Sequence, residues 1–157
     1  MTLGTLLKQG REILQNAGIA EWDLDAWYLL EYVTGVSRSQ YFLDPEREVP
    51  QEQEVLYRQM IDKRSTHIPL QHLTGEQEFM GLTFKVNEHV LIPRQDTETL
   101  VELVLEEQKR RDLDVLDVCT GSGCIAVSLA RLGRYASVTA LDVSAEALKV
   151  AEKNAAA

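Results

Sequence analysis

Leu3, Leu6, Leu7, Gly10, Ile13, Leu14 and Ala17 recur at three- and four-residue intervals, which predicts an amphipathic helix over residues 2–17. Thr2 stands at the N-cap position, and Gly18 stands where helices commonly end in a left-handed residue. A second stripe, Ala26, Leu29, Leu30 and Val33, predicts a helix over about 23–34, opened by Asp23 and Asp25 and closed by Gly35. A short helix is expected at 37–43, before the turn-rich DPEREVP. Pro50 suits the first turn of a further helix reaching Ser65, with Val55, Leu56, Met60 and Ile61 facing inward. Helices of this kind bury their stripes by packing into a bundle.

The period changes in HIPLQHLTGEQEFMGLTFKVNEHVLIPR, residues 67–94. Leu82, Phe84 and Val86 alternate with Thr83, Lys85 and Asn87, the two-residue period of a strand with one buried face. Gly75 and Gly81 punctuate a hairpin with strands near 77–80 and 82–87, in which Phe79 serves as an anchor. Pro93 ends the extended segment, and a helix capped by Asp96 or Thr97 follows. Beyond it come a strand at 114–118, a loop at 119–122, a helix at 123–132, a strand at 137–142 and a helix at 145–155. Strands alternating with helices at this spacing imply a parallel α/β sheet. The expected organisation is a helical domain over 1–66, a β-hairpin linker over 67–94 and an α/β domain over 95–157.

Composition narrows the function classes. No apolar run approaches the roughly 18 residues of a membrane span. The N-terminus has neither a basic region nor a long apolar core, so it does not read as a signal peptide. A net charge of −9 without clustered lysine and arginine argues against non-specific nucleic-acid binding. The basic cluster Lys109–Arg111 is expected to complement a helix C-terminus. Cys119 and Cys124 are the only cysteines, so no disulfide framework is available and the default location is the reducing cytoplasm. They have no zinc-type partners, and we read them as small residues packed in a turn. His67, His72 and His89 are read as structural or surface residues. Trp22, Trp27, Tyr28 and Tyr32 are expected to fill the helical core, with some facing a partner protein as the alternative.

The candidate chemistry lies in VLDVCTGSGCIAVSLARLG, residues 115–133, where an apolar run, a Gly-rich turn and a helical pattern follow one another. That order presents backbone N–H groups to a nucleotide-like ligand. Gly121, Gly123 and Ala126 fit G-x-G-x-x-A, a spacing shared with dinucleotide-binding folds. A second strand ends in Asp142, 19 residues beyond Gly123, where a carboxylate can accept hydrogen bonds from ribose hydroxyls. Asp117 lies just before the turn, and a carboxylate there repels a pyrophosphate. It suits a ligand with cationic groups, such as the amino group and sulfonium of S-adenosylmethionine. An NAD-binding oxidoreductase fragment is the alternative reading. A non-catalytic module, with the helical bundle as a protein-binding element, is another.

LDVCTGSGCIA resembles the first motif of class I methyltransferases, and ALDVSAEALKVAEKNA resembles their ribose-reading segment. More specifically, PLQHLTGEQEFMGLTFKVNEHVLIPRQDTETLVE resembles the linker of the HemK/PrmC family, the protein-(glutamine-N5) methyltransferases that modify peptide chain release factors. The resemblance covers the whole chain. It implies an incomplete Rossmann-like, S-adenosylmethionine-dependent methyltransferase domain behind a substrate-docking helical domain, with a release factor as the protein substrate. Asp117, Cys119, Thr120, Gly121, Ser122, Gly123 and Asp142 are the expected cofactor-binding residues, and no metal is expected. Arg94 is either a helix-start salt-bridge residue or, as the resemblance suggests, part of an IPR turn over the cofactor pocket. Cys119 occupies the place of the first glycine of the family's G-x-G-x-G, where a positive φ is less comfortable for a side chain. The family's Asn-Pro-Pro-Tyr motif, which holds the substrate amide, does not occur in the 157 residues. The chain is therefore expected to be the N-terminal part of a longer enzyme and to be inactive by itself.

Overall fold

A computed structural model describes all residues, Met1–Ala157. The chain divides into two compact units, Met1–Thr74 and Gly75–Ala157.

The first unit holds five helices: α1 (Leu3–Asn16), α2 (Trp22–Thr34), α3 (Arg38–Leu43), α4 (Gln51–Ser65) and α5 (Leu70–Thr74). Thr2 caps α1, its side-chain oxygen accepting from the Thr5 N–H. The amides of Leu3 and Gly4, left over by the first turn, donate to the carbonyls of Arg47 and Pro45. At the other end Gly18 adopts φ +73°. Its N–H donates to Gln15 and that of Ile19 to Leu14, the paired bonds of a Schellman motif. Buried Ile19 and Leu14 supply the apolar contact that accompanies this motif.

α1, α2 and α4 pack around one core built from Leu3, Leu6, Leu7, Leu14, Leu29 and Leu30. Tyr57 fills its centre and donates its hydroxyl to the Ala26 carbonyl at 3.1 Å; burial pushes the pKa of this phenol well up. Gly10 of α1 makes room for that ring. The buried Asp25 carboxylate pairs with the Arg64 Nε at 2.8 Å, joining α2 to α4.

Several expectations need correction here. Pro50 is the N-cap of α4 rather than a first-turn residue. Val55 and Leu56 are exposed, and Tyr57 takes the inward position with Met60 and Ile61. Ile13 is likewise on the exposed side of α1. Trp27 is buried and Trp22 packs partly against the core, but Tyr28 and Tyr32 face outward. The segment Leu70–Thr74, part of the expected hairpin linker, is helical and packs against α2 and α4.

The second unit begins with a hairpin, β1 (Glu76–Phe79) and β2 (Leu82–Lys85), paired antiparallel with Phe79 opposite Leu82. Met80 and Gly81 both take positive φ, as a two-residue turn matched to strand twist requires. The Met80 N–H donates to Glu98 of α6 (Gln95–Glu107) at 2.6 Å. Phe79 and Phe84 meet edge to face and pack with Val101, Val127 and Leu129, so Phe79 does anchor the hairpin. Arg94 is the exposed N-cap residue of α6, and neither Asp96 nor Thr97 caps the helix. Lys109–Arg111 lie beyond the last turn; Arg110 pairs with Asp112 instead of completing the helix.

β3 (Asp114–Val118), α7 (Cys124–Gly133), β4 (Ser137–Leu141) and α8 (Ala145–Ala156) follow. β3 and β4 are parallel neighbours, with Asp117 opposite Ala140 and Val118 opposite Leu141. No helix is long and apolar enough to cross a membrane.

Candidate functional site

The parallel register brings the C-terminal ends of β3 and β4 level, so the Gly-rich loop sits beside the residues after β4. Backbone bonds then close the loop. The Thr120 N–H donates to the Leu141 carbonyl and the Gly123 N–H to Thr120, each at 2.9 Å. Cys119, Gly121 and Gly123 all take positive φ, at +66°, +57° and +80°. Cys119 therefore holds a left-handed conformation that favours glycine, and its side chain is exposed. This corrects the reading of both cysteines as packed. Only Cys124 is buried, and burial pushes its thiol pKa up, away from thiolate chemistry.

Two carboxylates stand at the strand ends. The Thr120 hydroxyl, itself buried, donates to Asp117 at 2.6 Å and fixes that side chain. Asp142 accepts from two backbone amides, Ser144 at 2.9 Å and Gly121 at 2.8 Å. These bonds, the Ser144 N–H foremost, hold its carboxyl below the usual carboxylate range. Ser144 in turn caps α8 by accepting from the Ala147 N–H. One short segment thus orients the carboxylate and starts the helix.

The two glycines of the loop do different work. A Cβ on Gly121 meets nothing within 4 Å, so the loop is open there. A Cβ on Gly123 meets Ala151 of α8, at 3.0 Å from its Cβ and 3.2 Å from its Cα. Gly123 lets α8 approach the start of α7. Ser122, buried, presents its carbonyl to the Asn154 side-chain amide at 2.8 Å.

Asn154 escaped sequence reasoning. Its signal was a polar residue on the buried stripe of α8, in helical register with Ala147, Val150 and Ala151. An apolar groove of about 340 Å³ lies between α7, α8 and β4, lined by Ala126, Ala130, Ala140, Leu148 and Ala151. Glu152 is its one ionisable lining residue, so it lacks polar groups to orient a nucleoside. The strand-end carboxylates are the better candidate. No group of three or more histidine, cysteine or acidic side chains is placed to hold a metal.

Two family models match the chain. One described as the PrmC N-terminal domain matches residues 5–75, and one described as a methyltransferase domain matches residues 115–157. Curated relatives align along nearly all of it. The release factor glutamine methyltransferase of Deinococcus radiodurans is 41% identical over 157 residues, covering 99% of this chain and 56% of the relative. The protein of that name from Koribacter versatilis is 42% identical over 157 residues, with the same two coverages. That of Enterococcus faecalis is 43% identical over 134 residues, covering 83% of this chain and 48% of the relative. The chain spans about half the length of the curated relatives it matches. A helical-domain model and a methyltransferase-domain model are thus matched in order, and over nearly its whole length the chain is similar to release factor glutamine methyltransferases.

Proposed function

We propose that the second unit is the cofactor half of a Rossmann-like methyltransferase domain. Asp117, Cys119, Thr120, Gly121, Ser122, Gly123 and Asp142 form its S-adenosylmethionine site. The whole enzyme then methylates the side-chain amide nitrogen of a glutamine in a peptide chain release factor. Residues 1–66 serve to dock that protein, and 67–94 link them to the methyltransferase domain over 95–157.

One observation carries the cofactor reading: two oriented carboxylates stand at the ends of β3 and β4 while the N–H groups of Thr120, Gly121 and Gly123 are engaged within the protein. A pyrophosphate needs free amide donors and no adjacent anion. A ligand with an ammonium, a sulfonium and ribose hydroxyls needs the reverse. The open space above Gly121 and the exposed position of Cys119 leave the loop accessible to such a ligand.

When bound, S-adenosylmethionine supplies a methyl group activated by its sulfonium. In this reading Asp117, held by Thr120, faces the cationic end. Asp142, held ionised by Ser144 and Gly121, keeps lone pairs free for ribose hydroxyls. A carboxamide nitrogen is a weak nucleophile, so the reaction depends on alignment and on acceptors for its N–H protons. The Asn-Pro-Pro-Tyr segment that the resemblance implies for that task is absent from these 157 residues, so we assign amide positioning to sequence outside them. The 157 residues alone should then give no turnover with an unmodified release factor.

The test is calorimetric titration of the full-length enzyme with S-adenosylhomocysteine and with NAD. Tight binding of the first and none of the second is expected. Asp142→Ala should weaken S-adenosylhomocysteine by at least about tenfold, through lost charge-assisted hydrogen bonds. Because the folded carboxyl titrates low, the Asp142 contribution is complete above the ordinary aspartate value of about 3.9 and fades only as pH falls through the depressed one. The difference between wild type and Asp142→Ala should therefore stay constant from pH 8 down to pH 5. Equal affinities for both proteins would remove the ribose assignment, and NAD binding would favour the oxidoreductase alternative. Release-factor capture by the helical unit without nucleoside binding would favour a non-catalytic module.

A further inference from the structure

We infer that Asn154 is a positioning residue for the methyl-donor site, coupling the hairpin to the Gly-rich loop. Asn154 is only 4% exposed, on the inner stripe of α8. Its Oδ1 accepts from the Lys85 N–H at 2.7 Å, and its Nδ2 donates to the Lys85 carbonyl at 3.0 Å. The second Nδ2 proton goes to the Ser122 carbonyl at 2.8 Å. One carboxamide has two donor protons, and both are used here.

Towards β2 the side chain acts like the peptide of a neighbouring strand, satisfying the N–H and C=O of Lys85. Towards the loop it grips the residue between Gly121 and Gly123. That position matters because Gly121 is tied on its other side to Asp142. The loop is thus held from both flanks, by Asp142 through Gly121 and by Asn154 through Ser122. The Glu98 bond to Met80 fixes the far end of the same hairpin. Loop, hairpin, α6 and α8 are thereby joined by a continuous set of hydrogen bonds, and a shift of β2 is passed to the loop through one buried side chain.

No other residue type of this size reproduces the arrangement. Aspartate keeps the acceptor but loses both donors and sets a carboxylate against two carbonyl oxygens. Alanine leaves three backbone groups without these partners, the Ser122 carbonyl in a buried setting and the two Lys85 groups in a partly buried one. Either change frees the loop to sample other conformations, and the fraction of molecules ready to bind falls accordingly. Chemistry after binding does not pass through Asn154, so the loss should appear in cofactor affinity and not in the maximal rate.

The inference rests on the S-adenosylmethionine reading above. In the full-length enzyme, Asn154→Ala and Asn154→Asp should each raise the S-adenosylhomocysteine Kd and the S-adenosylmethionine KM by at least about tenfold. The kcat at saturating cofactor and the KM for the release factor should stay within about threefold of wild type. Folded variants that bind within twofold of wild type would reduce Asn154 to a hairpin anchor and overturn the inference. Should both variants fail to fold, amide exchange of the wild type decides. S-adenosylhomocysteine is expected to slow the Lys85 amide more than the helical amide of Val101, because coupling is reciprocal. Equal slowing of both amides would mean general stabilisation only and would overturn the inference. A wild type that does not bind S-adenosylhomocysteine overturns the cofactor reading itself, an outcome distinct from normal binding by the variants.

Discussion

Cys119 carries a side chain at a loop position whose left-handed backbone favours glycine. Its place in a glycine position predicts a positive φ, and the backbone takes +66°. Nothing in the local sequence, however, states that the side chain is exposed, because exposure depends on what packs over the turn. A left-handed conformation costs a side-chain-bearing residue about 1–2 kcal/mol. Glycine removes that cost but enlarges the unfolded ensemble by about 0.4–1 kcal/mol. Cys119→Gly should therefore stabilise the second unit by about 0.5 kcal/mol, measurable as a higher urea midpoint at unchanged m. A lower midpoint would show that the thiol makes contacts worth more than the strain.

At the scale of elements, the loop is set by the strands and helices that flank it. G-x-G-x-x-A suggests a ligand-facing role for both glycines, yet Gly123 faces α8 and only Gly121 is open. The difference comes from residues near the end of the chain, chiefly Ala151, which lie 28 positions away. Gly123→Ala must force α7 and α8 apart while holding φ near +80°. Overpacking costs about 1–3 kcal/mol and the strained backbone about 1 more. The expected result is a loss of about 2–4 kcal/mol of stability in the second unit, with any loss of cofactor binding following from unfolding. Chemical denaturation read by amide exchange in β3 and β4 checks this. Full stability with lost binding would mean that the ligand packs directly against Gly123, and that its part in the site is more than holding the loop close to α8.

At the scale of the whole molecule, each unit carries its own buried core, and both tryptophans belong to Met1–Thr74. Tryptophan fluorescence therefore reports the helical unit alone. Gly10→Ala introduces a methyl group against the Tyr57 ring, which is buried and bonded to Ala26 and so is not free to swing away. Alanine gains about 1 kcal/mol of helix propensity over glycine, but overpacking costs about 1–3. With the added Cβ so close to a ring that is held in place, sterics should win by up to about 2 kcal/mol, lowering the fluorescence-detected melting temperature. Amide exchange in β3 and β4 should be unchanged. A stabilised variant would mean that α1 and α4 can separate slightly without cost.

Local patterns by themselves determined the helical first half, the hairpin, the order of strands and helices after it, and the strand–loop–helix candidate site. They could do so because apolar spacing, capping residues and glycines act over a turn or two, as Thr2, Gly18, Gly35 and Gly81 show. The resemblance carried by residues 69–102, 116–126 and 140–155 pointed to the family. Only the tertiary structure decided which faces were buried. Val55 and Leu56 lost their inward places to Tyr57 because Gly10, 47 residues earlier, leaves space for an aromatic ring. It also decided that Asp142 anchors the loop through Gly121, and that Asn154 links that loop to Lys85. Each is a bond or contact between positions distant in sequence. No propensity records such a contact, because its energy exists only once the chain has brought both partners together.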